Sequence, residues 1–273
     1  MNGLLVHETR ANHNEMIPTA HEVLGVVRET ETEFTLRVKT DAEVHHGQFF
    51  QISLPKVGEV PISVSAIEDG FVEFTIRSVG KVTGELLRIR KGDRLFLRGP
   101  YGNSFPIHQF RGKDLVIIAG GTGVSPVRST LRYFYQHRGE VPSLHFIAGF
   151  KDDNSVLFRE DLELFRQRFD TIYSLDHDKV SGFEVGFVTE HVKQITFTDF
   201  SDYNVVIVGP PVMMHYVALE CLKEGASEDK MWVSFERKMS CAIGKCGHCK
   251  IDETYVCLDG PVFNYSVAKS LLD

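Results

Sequence analysis

Leu115-Val116-Ile117-Ile118-Ala119 runs without a polar residue into Gly120-Gly121-Thr122-Gly123-Val124-Ser125-Pro126. A short, unbroken apolar run that stops at glycines reads as a strand buried on both faces, the kind found in parallel sheets. Pro126 suits a first helical turn, and Ser125 can cap it, so a helix is expected over Pro126–His137. The same alternation continues downstream. Leu144–Ala148 is a strand and Ser155–Phe169 a helix carrying Leu157, Leu162, Leu164 and Phe165; Thr171–Leu175 and Asn204–Val208 are strands, a helix starts at Pro211, and Met231–Phe235 closes the series. Strand and helix in alternation predict an α/β domain over 109–235.

The glycines after the first strand of such a sheet let backbone approach a diphosphate, whose charge the following helix N-terminus favours. Gly120, Gly121, Thr122, Gly123 and Val124 are therefore candidate dinucleotide-binding residues. Gly209-Pro210-Pro211 ends a later strand in the same manner and belongs to the same crevice. The turn is not the G-x-G-x-x-G fingerprint, and a merely tight strand–helix turn is the competing reading. After the second strand, Phe150-Lys151-Asp152-Asp153 offers one lysine against two carboxylates. The acids favour an unphosphorylated ribose, hence NADH over NADPH.

Upstream, the rhythm is different. Phe34, Leu36 and Val38 alternate with polar residues, as do Phe50, Ile52 and Leu54, and Val72, Phe74 and Ile76, with turns at His46-Gly47, Val57-Gly58, Asp69-Gly70 and Lys91-Gly92. Period-two alternation with this spacing predicts a small antiparallel barrel over 1–108. Within it, Pro61-Ile62-Ser63-Val64-Ser65 places Ile62 and Val64 on the core face and Ser63 and Ser65 on the other. Ile76 points inward and Arg77 outward, and Gly80–Gly84 is a turn into a helical piece over Glu85–Arg88.

Downstream lie Cys241, Cys246, Cys249 and Cys257, spaced C-x4-C-x2-C-x7-C and four of the five cysteines in 273 residues. That rhythm is the one found at plant-type 2Fe-2S sites, where a single loop supplies three thiolates. Zinc ribbons pair two short hooks instead, so the spacing favours iron–sulfur, with a zinc-stapled, non-catalytic binding or redox-sensing module as the alternative. Cys221, in the helical stretch Val212–Lys223, reads as a small buried apolar residue. The segment 236–273 is expected to be a metal-dependent appendage. The formal net charge of −7 argues against a nucleic-acid binder. Apolar runs are too short to cross a bilayer and the first twenty residues lack a signal-peptide apolar segment, which makes the cytoplasm the expected location.

The barrel, Gly120–Pro126 and Gly209-Pro210-Pro211-Val212-Met213 together resemble the ferredoxin–NADP reductase superfamily, over nearly the whole chain from about His21. The cysteine loop narrows the likeness to electron-transfer subunits that carry a 2Fe-2S cluster. Ser234–Cys241, continuing through Gly244-Lys245-Cys246-Gly247-His248-Cys249, is most similar to the B-subunit family of anaerobic sulfite reductases, and also to sulfhydrogenase gamma subunits and the dihydroorotate dehydrogenase electron-transfer subunit. The resemblance implies an FAD-binding barrel, an NAD-binding domain and a cluster segment that together pass electrons from NADH to a partner. That partner would be a catalytic sirohaem sulfite reductase subunit, with a further iron–sulfur subunit in the hetero-oligomer. It assigns Pro61, Ile62, Ser63, Val64, Ile76, Arg77, Ser78, Val82 and Thr83 to FAD, with Ser63 at the flavin N5 edge. Gly120–Val124, Gly209, Pro210 and Met213 go to NAD, and the four cysteines to the metal. Two departures stand out: Val60 replaces the arginine common before Pro-x-Ser, and Val208 replaces a frequent cysteine before Gly209-Pro210.

Overall fold

A computed structural model describes residues 16–271. The N-terminal extension, residues 1–15, lies outside the described residues. Six strands close a barrel in the order β1-β2-β5-β4-β3-β6. They are β1 (Thr19–Arg28), β2 (Glu33–Lys39), β3 (Phe49–Leu54), β4 (Gly58–Glu68), β5 (Phe71–Arg77) and β6 (Arg94–Tyr101), with helix α1 (Lys81–Leu86) between the last two. Alternation built them as expected: Phe34, Leu36, Val38, Phe50, Ile52, Phe74 and Ile76 are at most 1% exposed. Two local expectations fail. The helix begins at Lys81 rather than Glu85, because Thr83 Oγ1 accepts the N–H groups of Val79 and Gly80 at 3.0 Å each and closes the turn early. A register shift between Val64 and Ala66 breaks the alternation of β4, so Ser65 is fully buried and takes a hydrogen bond from Thr75 Oγ1 at 3.0 Å.

The second domain follows helix α2 (Ile107–Phe110) and is built from β7 (Asp114–Gly120), α3 (Val124–Gln136), β8 (Leu144–Phe150), α4 (Arg159–Arg166), β9 (Asp170–Leu175), β10 (Glu184–Val185), α5 (Val188–Val192), β11 (Tyr203–Val208), α6 (Pro211–Lys223) and β12 (Met231–Ser234). The helix expected from Ser155 starts four residues later, at Arg159. Asp152 caps a separate turn through Ser155, and Phe158 adopts a left-handed φ of 55° that breaks the run. Beyond β12 come β13 (Lys250–Ile251), β14 (Thr254–Tyr255), α7 (Val256–Asp259), β15 (Val262–Asn264) and α8 (Tyr265–Ala268). The seven-stranded sheet has the order β10-β9-β8-β7-β11-β12-β15, parallel except for β15, which pairs antiparallel with β12. The C-terminal segment is therefore no appendage. It contributes an edge strand, and Cys249, Val256 and Cys257 belong to one of the two apolar cores flanking the sheet. Cys221 lies in that same core, fully buried, as a small apolar residue should.

Barrel and sheet domain are joined by a buried ion network. Arg128 on α3 reaches Glu73 on β5 at 2.6 Å and Asp161 on α4, while Arg37 holds the other side of Glu73 at 2.8 Å. Burial alone would raise the Glu73 carboxyl, but the Arg128 charge beside it wins and holds it below the ordinary range. Removing one member of a set this buried leaves an uncompensated charge. The network therefore fixes how the two domains face each other. No helix among the described residues is long and apolar enough to cross a membrane.

Candidate functional site

Three cavities lie near the C-terminal ends of the parallel strands, where ligands of such sheets bind, one within the sheet domain and two at its junction with the barrel. The first, of about 520 Å³, sits at the sheet end between Gly120, Gly121, Pro210 and Met213 on one side and Lys151 and Asp176 on the other. The second, about 320 Å³, lies under the β11 turn and is lined by Ser63, Thr122, Gly123, Gly209, Phe235 and Glu236. The third, about 400 Å³, opens on the barrel wall beside Pro61, Ile62, Ser63, Arg77, Thr83 and Arg237. Ser63, Thr122, Pro126, Phe235 and Glu236 border both the second and the third, so these two cavities adjoin.

The glycine turn is tight for a physical reason. A Cβ on Gly123 would stand 2.3 Å from Val208 O and 2.7 Å from Gly209 Cα, both backbone, so only hydrogen lets the β7 and β11 turns close on each other. Gly120–Gly123, Gly209, Pro210 and Met213 all line this crevice, whereas Val124 is core at 1% exposed. In the barrel cavity, Pro61, Ile62, Ser63, Arg77 and Thr83 are brought together. Val64 and Ile76 are not, being at most 1% exposed in the barrel core, and Ser78 and Val82 are half-buried and do not line the cavity. Arg77 is steered by Glu33, 3.0 Å away.

The acids expected to read the ribose are occupied elsewhere. Asp152 Oδ1 accepts from Ser155 N at 2.9 Å, and Asp153 pairs with Arg159 at 2.9 Å. Asp176, just past β9, is the carboxylate lining the sheet-end cavity, and partial burial raises its pKa. Sequence reading also missed Phe235, Glu236, Arg237 and Met239, which the C-terminal segment lays across the barrel cavity. Glu236 has the accessible area of an exposed residue because it borders open crevice, yet the surrounding protein desolvates its carboxyl and raises its pKa. A glutamate next to an apolar strand end was the available signal.

The four cysteines converge two and two, Cys241 with Cys246 and Cys249 with Cys257. Cys241 Sγ accepts N–H groups from Lys245 and Cys246, and Cys257 Sγ one from Gly244, each at 3.3 Å. Gly244 (φ 70°) and Gly247 (φ 76°) are left-handed, as a loop wound around its own sulfurs requires. Backbone N–H donation, chiefly from His248, pulls the Cys246 thiol down to about 7, while burial pushes Cys257 up to about 12. Among the described residues no three His, Cys, Asp or Glu side chains close around one ion. Paired thiols with amides aimed at the sulfur fit a two-iron cluster, whose sulfurs take such hydrogen bonds. Cys246 is the exposed member of the four.

Comparison with known proteins agrees with this layout. The oxidoreductase NAD-binding domain family matches residues 117–218, and the iron–sulfur cluster binding domain of dihydroorotate dehydrogenase B matches residues 236–267. The chain is 36% identical over 267 residues to the sulfhydrogenase 1 subunit gamma of Pyrococcus furiosus, covering 89% of each. It is 32% identical over 254 residues to the probable dihydroorotate dehydrogenase B (NAD(+)) electron transfer subunit of Methanocaldococcus jannaschii, covering 90% of this chain and 89% of that one. A solved NADH-dependent reduced ferredoxin–NADP oxidoreductase has the same fold, with a TM-score of 0.76 at 22% identity over 90% of this chain and 88% of that one.

Proposed function

The chain belongs to the family of electron-transfer subunits that includes those of sulfhydrogenases and of dihydroorotate dehydrogenase B, and on that footing we propose that it oxidises NADH through FAD and delivers electrons through a 2Fe-2S cluster to a partner reductase. One observation carries the reading. The three cavities adjoin through shared walls, the first and second at Pro210 and the second and third at Ser63 and Thr122, and the third is bordered by Met239, two residues before the first candidate cluster thiol, Cys241. Bound FAD would supply the conversion of a hydride into single electrons, which the nicotinamide cannot perform and the cluster needs. The protein's own work is placement. Gly120, Gly121, Pro210 and Met213 seat the dinucleotide, and Thr122 and Gly123 lead it toward the barrel. Pro61, Ile62, Arg77 and Thr83 hold the flavin, Arg77 supplying the charge absent at Val60. Ser63 borders both cavities, so its hydroxyl would be within the reach of either cofactor. No side chain is required as a strong acid or base.

Asp176 favours NADH over NADPH, because a carboxylate at the ribose repels a 2′-phosphate. Replacing it, Asp176→Ser, is expected to raise kcat/KM for NADPH about tenfold relative to NADH, a change of about 1.4 kcal/mol; equal ratios in mutant and wild type count against this role.

For the terminal acceptor we favour a sirohaem sulfite reductase making sulfide, on the likeness of the run Ser234–Cys249 with its Cys-Gly-His-Cys core. The 36% identity to a sulfhydrogenase gamma subunit supports a hydrogenase partner as the second reading. Anaerobic isolation of the native complex decides. Co-purified sirohaem with NADH-dependent sulfide formation is the expected result; a hydrogen-evolving partner, or a flavin-containing α/β barrel, overturns the sulfite assignment. Colourless protein holding zinc and no flavin overturns the whole reading.

A further inference from the structure

Arg98 stands near the end of β6, 4% exposed in its side chain, yet carries a permanent charge. All three of its nitrogens are engaged. Nε donates to Glu59 Oε2 at 2.9 Å, and Nη2 pairs with Glu59 Oε1 and donates to Ser240 O at 2.7 Å. Nη1 donates to Cys241 O at 2.6 Å and to Tyr101 Oη at 3.3 Å. Beside it Gln51 on β3, fully buried, donates Nε2 to Met239 O at 2.8 Å. Three successive carbonyls, Met239, Ser240 and Cys241, are thus each received by a barrel side chain. The first of these residues lines the barrel cavity and the third is a cluster thiol.

An ion pair with one partner buried and the other, Glu59, open to solvent is poor evidence of stabilisation. Its fixed fork geometry is what an apolar pair lacks. The same charge, in surroundings of low dielectric, also acts on any electron added nearby. We propose that Arg98, oriented by Glu59, is the positioning residue that pins the start of the cluster loop to the barrel and, through its buried positive charge at the Cys241 carbonyl, raises the reduction potential of the cluster. The proposal rests on the flavin-to-cluster reading above and adds the residue that sets its last step. Glu59 offsets part of the charge. Burial works against its ionisation, but the hydrogen bonds from Arg98 and Ser53 prevail and keep its carboxyl below the ordinary range.

Arg98→Met, Arg98→Lys and Glu59→Gln test it in the full chain. Expected for Arg98→Met are unchanged NADH-to-dye turnover, a cluster potential shifted downward and reduction of the cluster by NADH slowed at least tenfold. Glu59→Gln shifts the potential upward instead, and Arg98→Lys keeps it near wild type while recovering part of the rate. Opposite shifts from the two partners are something a purely structural role does not produce. In cluster-free protein, hydrogen exchange at the amides of residues 240–243 is expected to accelerate in Arg98→Met but not elsewhere in the barrel. An unchanged potential with intact iron, or shifts of the same sign in Arg98→Met and Glu59→Gln, overturns the proposal. If Arg98→Met assembles no cluster, the Glu59→Gln and Arg98→Lys potentials decide. Failure of the functional reading is seen separately, as wild-type protein whose bound flavin NADH does not reduce.

Discussion

Cys246→Ser is expected to abolish electron delivery to the partner, leaving NADH reduction of bound flavin and of a small dye within about twofold of wild type. Cys246 is the exposed thiol, pairs with Cys241, and lines none of the three cavities. Losing it removes one of the four thiolates that two irons require. Acid-labile sulfide and the visible spectrum report the cluster; NADH-to-dye assays report the flavin half. Because the C-terminal segment also supplies β15 and part of a core, replacing a surface ligand is a cleaner test than deleting the segment. Loss of FAD together with iron in Cys246→Ser would mean that the loop must be loaded before the barrel cavity forms, contrary to the separation inferred here.

The second large effect belongs to Gly123→Ala. The added methyl has no flexible side chain to displace, only Val208 O and Gly209 Cα. Overpacking of this kind costs about 1–3 kcal/mol, which lowers Tm by roughly 2–4 °C per kcal/mol in a protein of comparable size. The same displacement separates the two turns proposed to frame the dinucleotide. KM for NADH is expected to rise more than tenfold while flavin and iron content stay at wild-type levels. A Gly123→Ala protein with unchanged KM would show that the nicotinamide dinucleotide does not enter between β7 and β11.

What was legible in the sequence is what chemistry writes locally. The four cysteines, the glycines after β7 and the Pro61–Ser63 strand each declare themselves within a few residues, because one loop or one strand builds each feature. The barrel followed from period-two alternation, since one face must be buried wherever that period is regular, and the parallel sheet from unbroken apolar strands interleaved with helices. The failures lie where distant segments meet. Arg98 and Cys241 are 143 residues apart, and no spacing rule joins them. Asp176 follows β9, one strand beyond the β8 turn where a ribose-reading acid is expected, and in that turn a local capping bond occupies Asp152. Val64 and Ile76 fell within a flavin-binding pattern, yet the period-two rule had already turned them into the core. The C-terminal segment reads as an appendage because its edge strand, β15, finds its partner only in the sheet of the other domain.

Arg128, clasped between Glu73 and Asp161, has a bearing on how ionic-strength experiments are interpreted. Mobile counter-ions screen exposed charges over a Debye length of about 8 Å in ordinary physiological saline but scarcely reach enclosed ones. Added electrolyte should therefore leave the relative disposition of barrel and sheet unaltered. A salt sensitivity of turnover in the assembled complex then reports on exposed charges, at the cofactor cavities or at the encounter with the partner, and not on the joint between the domains.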